Sequence, residues 1–431
     1  MPIHTQRPIE PKSSSGLWCM VLSCIFGNAL EWYDFALYGY FAAIIGKAMF
    51  PPHQSSITVL LGSYGIFFSG FVMRPLGAWL FGTLGDRHGR KKALMLSIYC
   101  MAIPTTLIGL LPPYAMVGIA APLSLAVLRL FQGLSMGGEF TSSMVFVVEH
   151  AEPKHRGFWG SWISFSVLVG LIVGTGVSLL VSLSMSHEAL EVWGWRIPFV
   201  LSSVGSGVGI YMRRVLKDPS DFSTHQKEPL AESPLRILFR DHLSMMGRIV
   251  LIDLTIAVGF FLVCIFIMTY LQNFMGFSYQ SAAWINTLSM LGFAGVIPIA
   301  GAWSDRWSPK AVMSIGVWGI FVGAIPLFYG LSLGSWPLAL LCQLSLAVLM
   351  GICFAPIPAL LVSLFPITIR CSGVSLAHNV SMAFFGGSTP WLVTFCMHQT
   401  GISLMPGIIL CLAALGSLIG LRGLKIPNHQ D

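Results

Sequence analysis

Twelve apolar runs of about 20 residues or more set the strongest constraint on what this chain can fold into. A helix needs about 20 apolar residues to cross the hydrocarbon core of a bilayer, which is about 30 Å thick. The runs therefore predict an all-α integral membrane protein with twelve transmembrane helices. The predicted spans are 18–46, 57–82, 93–112, 116–149, 157–184, 194–214, 247–274, 279–302, 310–331, 335–364, 371–397 and 402–424.

The composition fits a chain that folds in lipid. Hydrophobic residues make up 55% of the 431 positions and charged residues only 10%, whereas a soluble domain is about one quarter charged. The net charge of +7 does not indicate nucleic-acid binding, because the basic residues lie between apolar runs. The nine cysteines include no CxxC pair. We therefore expect a lipid bilayer as partner, and no nucleic acid, metal site, disulfide framework or cofactor.

The distribution of Lys and Arg orients the spans. With the N-terminus inside, most of the 24 residues lie in cytoplasmic loops, tails or span ends. The exceptions are Lys47, Arg74, Arg129 and Arg196. The positive-inside rule then places both termini in the cytoplasm and predicts an even number of spans. The expected location is the inner or plasma membrane, which the chain crosses many times.

The chain divides near its midpoint into two similar halves. The longest polar stretch follows the sixth span, and "GTLGDRHGRKK" after the second span resembles "GAWSDRWSPK" after the eighth. Paired six-helix halves are typical of transporters, which bind substrate between the halves near the membrane midplane. The predicted parts are a cytoplasmic tail 1–16, an N-terminal six-helix bundle 17–214, a central loop 215–246, a C-terminal six-helix bundle 247–424 and a cytoplasmic tail 425–431.

The stretch G-T-L-G-D-R-H-G-R-K at 82–91 resembles the loop signature of the major facilitator superfamily. "GNALEWYDF", "RLFQGLSMGGEF" and "WGWRIPF" narrow this resemblance to the metabolite:proton symporter family, strongly over 27–200 and more weakly beyond. That family includes carriers of α-ketoglutarate, citrate, shikimate, and proline or betaine. The resemblance implies the twelve-helix fold of the superfamily and transport by alternating access.

The resemblance also implies a gating latch at the cytoplasmic face that forms in one conformation only. There, Asp86 and Arg87 would pair with charges such as Arg156 or with helix ends. Anchoring by positive charge alone would explain the cations but not the acid or the glycines. In the second half, Ser304 and Ser308 replace glycines of the pattern, so we expect a weaker second latch. The candidate gating residues are Gly82, Asp86, Arg87, Gly89, Arg90, Arg156, Asp305 and Arg306.

Two carboxylates lie inside the first apolar run. Asn28, Glu31, Asp34 and Tyr38 share one helical face, over an arc of about 120°. An ionisable group at membrane depth costs at least ~2.5–3.5 kcal/mol and is therefore a candidate functional group. We expect Glu31 and Asp34 to take part in proton coupling, without assigning the proton to one of them. The alternative is a purely structural buried ion pair.

A mostly polar stripe follows the fourth span. Arg129, Gln132, Ser135, Glu139 and Ser143 share one face of the predicted helix, as the wall of a polar cavity would require. The guanidinium of Arg129 is suited to bidentate binding of a substrate carboxylate. A fixed ion pair between Arg129 and a carboxylate of the first span is the alternative. Glu139 is the third candidate for proton coupling.

The second half contributes fewer polar groups. His378, within the eleventh span, is compatible with either a substrate site or a packed structural role. Arg74 is expected to be structural because it lies near the cytoplasm beside a proline, and Asp253 is expected at the membrane interface. The candidate substrate-binding residues are Asn28, Tyr38, Arg129, Gln132, Ser135, His378 and Asn379.

These features predict a monomeric, proton-driven symporter that imports a small organic acid, for which Arg129 and the neighbouring donors would provide the site. A proline or glycine-betaine symporter is the alternative. A drug antiporter is less favoured because "GLIVGTGVSLL" in the fifth span lacks the proline of the antiporter pattern. An integral-membrane enzyme is also less favoured, because the cytoplasmic loops contain no Asp-rich metal motif and no nucleophile–His pairing.

Overall fold

A computed structural model describes residues 14–51, 62, 65, 66, 68–214 and 233–424. Within these residues, twelve long helices correspond to the twelve predicted spans, and the predicted all-α fold is confirmed. They are α1 Ser14–Met49, α2 Arg74–His88, α3 Arg90–Leu110, α4 Ala120–His150, α5 Arg156–Ser184, α6 Arg196–Arg214, α7 Leu243–Phe274, α8 Tyr279–Arg306, α9 Pro309–Ser332, α10 Trp336–Val362, α11 Arg370–Thr400 and α12 Met405–Leu421.

Seven of the described helices are long and apolar enough to cross a membrane: α3, α5 and α7 to α11. Helix α12 is equally apolar but shorter. The outer surface is apolar as well, since Leu183, Val204 and Val322 are 75%, 66% and 68% exposed. Many other large apolar side chains are exposed as well, and an apolar surface of that extent is typical of a protein surrounded by lipid.

The helices pack as two six-helix halves that touch through two helix pairs. In the N-terminal half, α1 packs on α5, and α3 lies between α4 and α6. In the C-terminal half, α10 packs on α8 and α9, and α12 on α7 and α9. Contacts between the halves run mainly through α2 with α11 and α5 with α8. The halves therefore meet along two seams.

Glycines bring the backbones of α2 and α4 into direct contact. A Cβ atom on Gly77 would collide with the carbonyl oxygen of Leu134, and one on Gly137 would collide with that of Arg74. Larger residues at these positions would push the helices apart. The two helices therefore form one tightly packed pair inside the N-terminal half.

The signature stretch is not a loop in the structure. Helix α2 continues through Asp86 to His88, and α3 begins at Arg90. Gly89 alone separates the helices, with a φ of 105°, a conformation that glycine adopts without steric cost. Sequence reasoning ended the span at 82 because charge begins there, but a helix can extend beyond the hydrocarbon region into water.

The ends of the predicted parts fall largely outside the described residues. The tail 425–431, most of the tail 1–16 and the segment 215–232 of the central loop belong to this group. The described end of the central loop is helical, with a short helix at Pro234–Asp241, and α7 begins at Leu243. The residue bounds of the predicted parts stay a prediction.

Candidate translocation site

The two carboxylates of α1 have different environments. Asp34 accepts hydrogen bonds from Thr105 on α3 at 2.5 Å and from Ser202 on α6 at 3.0 Å. Glu31 is also buried, yet neither of its carboxylate oxygens has a hydrogen-bond partner among the described residues. Asp34 is therefore held inside the N-terminal bundle, whereas the carboxylate of Glu31 is available for another group.

Two buried cations, Arg74 and Arg213, interact electrostatically with Glu31. Arg213 is ion-paired with Glu139, whereas Arg74 and Glu31 form no ion pair within 4.0 Å in the described part of the chain. Nε of Arg74 donates to Asn379 on α11 at 2.9 Å, while Nη1 is buried without a hydrogen-bond partner among the described residues. An unsatisfied buried donor and two unsatisfied acceptors thus lie in one region, and such groups are costly unless a ligand or water pairs with them.

Aromatic rings surround this region and cross between the halves. We call Trp32, Phe35, Phe71, Phe260 and Phe261 the aromatic cluster. Ring centroids are 5.0 Å apart for Trp32 and Phe260, 5.1 Å for Phe35 and Phe71, and 5.3 Å for Phe71 and Phe261. Trp32 and Phe35 lie on α1, Phe71 lies just before α2, and Phe260 and Phe261 lie on α7, so the cluster joins the halves beside Glu31.

Arg129 belongs to a polar network inside the N-terminal half. Its guanidinium lies over the rings of Phe35 and Tyr38, 4.7 and 4.2 Å from their centroids. Its Nη1 donates to Gln132 at 2.8 Å, and Gln132 donates in turn to Thr105 at 2.7 Å. Thr105 donates to Asp34, so the chain of hydrogen bonds links Arg129 to that carboxylate.

Glu139 forms a buried ion pair that sequence reasoning missed. Nη1 and Nη2 of Arg213 on α6 both donate to it, and Ser97 on α3 donates as well. Gly27 leaves room for this pair, because a Cβ there would collide with Arg213. Arg213 had been counted among the cations at the ends of spans. Its position at the close of an apolar run gave no sign that it is fully buried.

The polar stripe of α4 faces the interior of its own bundle, not the opposite half. Gln132 contacts α3, Glu139 contacts α3 and α6, and Ser135 donates to the Ser97 carbonyl on α3 at 2.7 Å. Asn28 likewise packs within the half, donating to Ser166 on α5 at 2.6 Å. Helical spacing fixes a face but not its neighbour, and the predicted cavity wall along this stripe stays a prediction.

The C-terminal half buries an acid–histidine pair. Asp253 is fully buried and its Oδ2 lies 2.8 Å from Nδ1 of His378, so it is paired inside the protein, and its expected depth at the membrane interface stays a prediction. The His378 ring stacks on Phe140 of α4, with centroids 5.3 Å apart. Asn379 bridges the halves by accepting from Arg74 and donating to the Gly137 carbonyl at 2.9 Å.

Two acids tie the halves together at what we call the latch end. Asp86 accepts from the backbone N–H groups of Cys371 and Ser372, at 3.1 and 2.8 Å, where α11 begins. Asp305 accepts from those of Gly157 and Phe158, at 2.6 and 2.8 Å, where α5 begins. Each half therefore caps a helix of the other half, and carboxylates are stabilised at helix N-termini.

Other candidate gating residues support or surround the first latch. Arg90 binds Asp86 at 2.7 Å, and Glu149 lies between Arg90 and Arg370. Gly82 allows the close approach of α11, because a Cβ there would lie 2.8 Å from Cα of Ser372. Arg87 and Arg306 are exposed, and Arg156 begins α5. Among the predicted partners of Asp86, a helix end is observed, and Arg90 takes the place expected for Arg156.

Comparisons with known proteins place the chain among transporters. A sequence profile described as the Major Facilitator Superfamily matches residues 17–366 and 265–431 of this chain. A proline/betaine transporter of Salmonella typhimurium is 33% identical over 422 residues, covering 95% of this chain and 84% of that protein. The α-ketoglutarate permease of Escherichia coli is 32% identical over 379 residues, covering 87% of this chain and 86% of that protein.

Solved structures share the fold at low sequence identity. The proton:xylose symporter XylE bound to 6-bromo-6-deoxy-D-glucose has a TM-score of 0.80 at 16% identity, covering 95% of each chain. The inward open conformation of XylE from E. coli has a TM-score of 0.66 at 17% identity, covering 96% of this chain and 98% of that one.

Proposed function

The chain belongs to the major facilitator superfamily, and from this premise we propose that it is a proton-coupled symporter of the inner or plasma membrane for a zwitterionic metabolite. Proline and glycine betaine represent this class of substrate. The sequence favoured an organic acid and kept a zwitterion as the alternative. Several of the most similar relatives are proline/betaine transporters, which supports the alternative.

One observation carries the proposal: Glu31 and Arg74 lie in the same buried region without pairing to each other. A zwitterion brings one cation and one carboxylate, so it would satisfy both side chains at once. The substrate carboxylate would accept from the unsatisfied Nη1 of Arg74. Its ammonium would lie against Glu31 and the aromatic cluster, because aromatic faces attract quaternary ammonium groups.

The proton is assigned to Asp34 in this proposal. A symporter must bind its proton and its substrate together, so one carboxylate cannot hold the substrate cation and the proton at once. Glu31 faces the region of the substrate, whereas Asp34 has two hydroxyl partners and a hydrogen-bonded route to Arg129. Protonation of Asp34 would leave the charge of Arg129 unbalanced within the network and would change how it packs on Tyr38.

An organic acid remains the second candidate. Arg74 and Arg129 are two buried cations of the N-terminal half, and the relative that is an α-ketoglutarate permease is nearly as similar as the proline/betaine transporters. Glu31 distinguishes the two functions, because its carboxylate would attract a zwitterion's cation and repel a dicarboxylate.

Uptake by proteoliposomes tests the proposal. An imposed inward proton gradient should drive accumulation of labelled proline or glycine betaine, and not of α-ketoglutarate, succinate, citrate or shikimate. Glu31→Gln should weaken zwitterion binding at least about tenfold, since a charge-assisted contact contributes about 1.5–3 kcal/mol. Glu188→Gln is the matched control, because Glu188 is exposed. Uptake of an organic acid that survives or improves in Glu31→Gln would refute the zwitterion reading.

A further inference from the structure

The Asp253–His378 pair has no part in the proposed substrate site, yet it is buried at the seam between the halves. Asp253 lies on α7 and His378 on α11, and both are almost completely buried. Oδ2 of Asp253 is bound to His378, while Oδ1 has no hydrogen-bond partner among the described residues. The ring of His378 stacks on Phe140 of the opposite half.

The residues around His378 hold the halves together. Asn379 contacts Arg74 and Gly137, and Ser375, one turn earlier, donates to Thr141 on α4 at 2.7 Å. Separation of the halves at the latch end must therefore break these bonds and uncover His378. Water would then reach a pair that is dry in the closed conformation.

Few other charges face the pair. The charged and histidine side chains on elements packed against the first part of α11 are Arg74, Asp86, Arg87 and His88 of α2, Arg129, Glu139, Glu149 and His150 of α4, Arg248 of α7, and Arg236, Arg240 and Asp241 of the short helix. Of these, Arg74 binds the adjacent Asn379, Asp86 caps the start of α11, Glu139 is turned to Arg213, and Glu149 binds Arg370. Arg236 and Arg240 are exposed.

The charge state of the pair therefore depends on whether His378 carries a proton. With Nδ1–H donating to Asp253, an added proton goes to Nε2 and yields an ion pair of zero net charge. Without the added proton on Nε2, the pair has a net charge of −1 and an unsatisfied carboxylate oxygen in a dry seam, which is unfavourable. Closure of the halves should favour the protonated pair, and opening should favour release of the proton.

We propose that Asp253 and His378 form a second proton-binding site, which takes a proton from water as the halves close at the latch end and returns it to water on that side as they open. It extends the proposed function, since it adds a proton to the one assigned to Asp34. Its conformational consequence does not depend on the identity of the substrate. Lower pH should hold the latch end closed, and higher pH should open it.

Native Cys371 gives a direct readout of the latch end. It is buried at the start of α11, two turns from His378, and its backbone N–H is bound by Asp86. In a chain that keeps Cys371 as its sole cysteine, its maleimide labelling rate measures opening at each pH, without any substrate present. Each rate is divided by that of His378→Gln at the same pH, which cancels the intrinsic pH dependence of the thiol reaction.

The expected result is a ratio that rises with pH, by up to about tenfold per unit, the limit for one linked proton. His398→Gln, the same change at an exposed position of the same helix, should behave as the parent chain. A ratio that stays constant with pH would overturn the proposal. If His378→Gln does not fold, Asp253→Asn is used in its place and should shift the opening measured by Cys371 labelling to lower pH. A labelling profile that does not shift in Asp253→Asn would also overturn the proposal.

Failure of this experiment is distinct from failure of the zwitterion assignment. Uptake of proline or betaine could succeed while labelling shows no linkage to His378, which would leave the single proton at Asp34. Conversely, labelling could show the linkage while an organic acid is transported. The two experiments thus separate the substrate from the second proton.

Discussion

The two halves share their architecture but not their interior charges. The N-terminal half buries Glu31, Asp34, Arg74, Arg129, Glu139 and Arg213 within its bundle or beside the seam. In the described part of the C-terminal half, Asp253 is the fully buried carboxylate, and it is matched to a histidine. At the latch end the halves are alike, since Asp86 and Asp305 each cap a helix of the other half.

From this difference we expect the repeated element to close the halves, and the substrate and proton to bind mainly on one side. A latch needs only a carboxylate and a facing helix N-terminus, so both halves can retain it. A substrate site needs opposite charges in a defined arrangement, and one copy is sufficient when the other half supplies aromatic surface. The C-terminal half supplies Phe260 and Phe261 to the aromatic cluster.

The largest expected effect comes from breaking the buried ion pair of the N-terminal half. Glu139→Gln leaves Arg213 buried without its counter-charge and should destabilise the protein by about 3–5 kcal/mol. Asp253→Asn should cost about 1–3 kcal/mol, because His378 can become neutral. Thermal unfolding followed by intrinsic fluorescence in detergent ranks the two. Arg213→Met should restore part of the stability of Glu139→Gln; equal losses in the two single variants would contradict the asymmetry.

Proton coupling should also depend chiefly on the N-terminal half. A gradient of about 2 pH units supplies about 2.7 kcal/mol per proton, or roughly 100-fold accumulation. Asp34→Asn should abolish the accumulation that this proton drives while leaving substrate exchange across the membrane. The measurement compares energised uptake with counterflow in proteoliposomes, and Glu188→Gln is the control. Full accumulation in Asp34→Asn would remove this residue from the mechanism.

The two latches should differ in strength. Asp86 is buried, binds two backbone N–H groups and is paired with Arg90, whereas Asp305 is partly exposed. We expect Asp86→Asn to increase opening by about tenfold, the loss of one charge-assisted bond, and Asp305→Asn to have a smaller effect. Labelling of Cys371 measures both. A larger effect of Asp305→Asn would show that the serines of the second signature do not weaken it.

The smallest effect is expected at the surface. Lys47 donates to Glu191 at 2.5 Å, and this hydrogen bond lowers the pKa of Glu191, which lies outside the spans. Because folding lowers this pKa, the pair stabilises the protein above the unfolded value of about 4.3, and this contribution disappears as pH falls through the lowered pKa. Lys47→Ala should change the unfolding temperature at pH 7 only slightly, since exposed pairs contribute little. A loss comparable to that of Glu139→Gln would undermine the contrast between buried and exposed pairs.

The sequence was sufficient for the number of helices, and it singled out Asp86 and Asp305, whose gating role stays a prediction. Apolar runs longer than a bilayer is thick admit little but spanning helices, and an acid beside glycines in a basic stretch has few structural uses. Asp86 and Asp305 could therefore be identified before any contact was known. Helix ends were less certain, because α2 extends beyond its apolar run to His88.

What the sequence could not provide was the partner of each buried charge. The stripe on α4 was visible as a face, but only packing shows that Glu139 meets Arg213 on α6. Asp253 looked interfacial because it lies close to an arginine near the start of its span, yet it is turned towards His378. Positions separated by more than 70 residues meet in these pairs, and local spacing carries no information about them.

The backbone contact between α2 and α4 has a mechanical consequence. With glycine at 77 and 137, no flexible side chains separate the two helices, so nothing between them can absorb a displacement. Asp86 lies near one end of this rigid helix pair, and Arg129 and Glu139 lie along its second helix, α4. When the latch end opens, α2 and α4 should therefore move together as one rigid body. The buried charges on these helices should then move as a group rather than one by one.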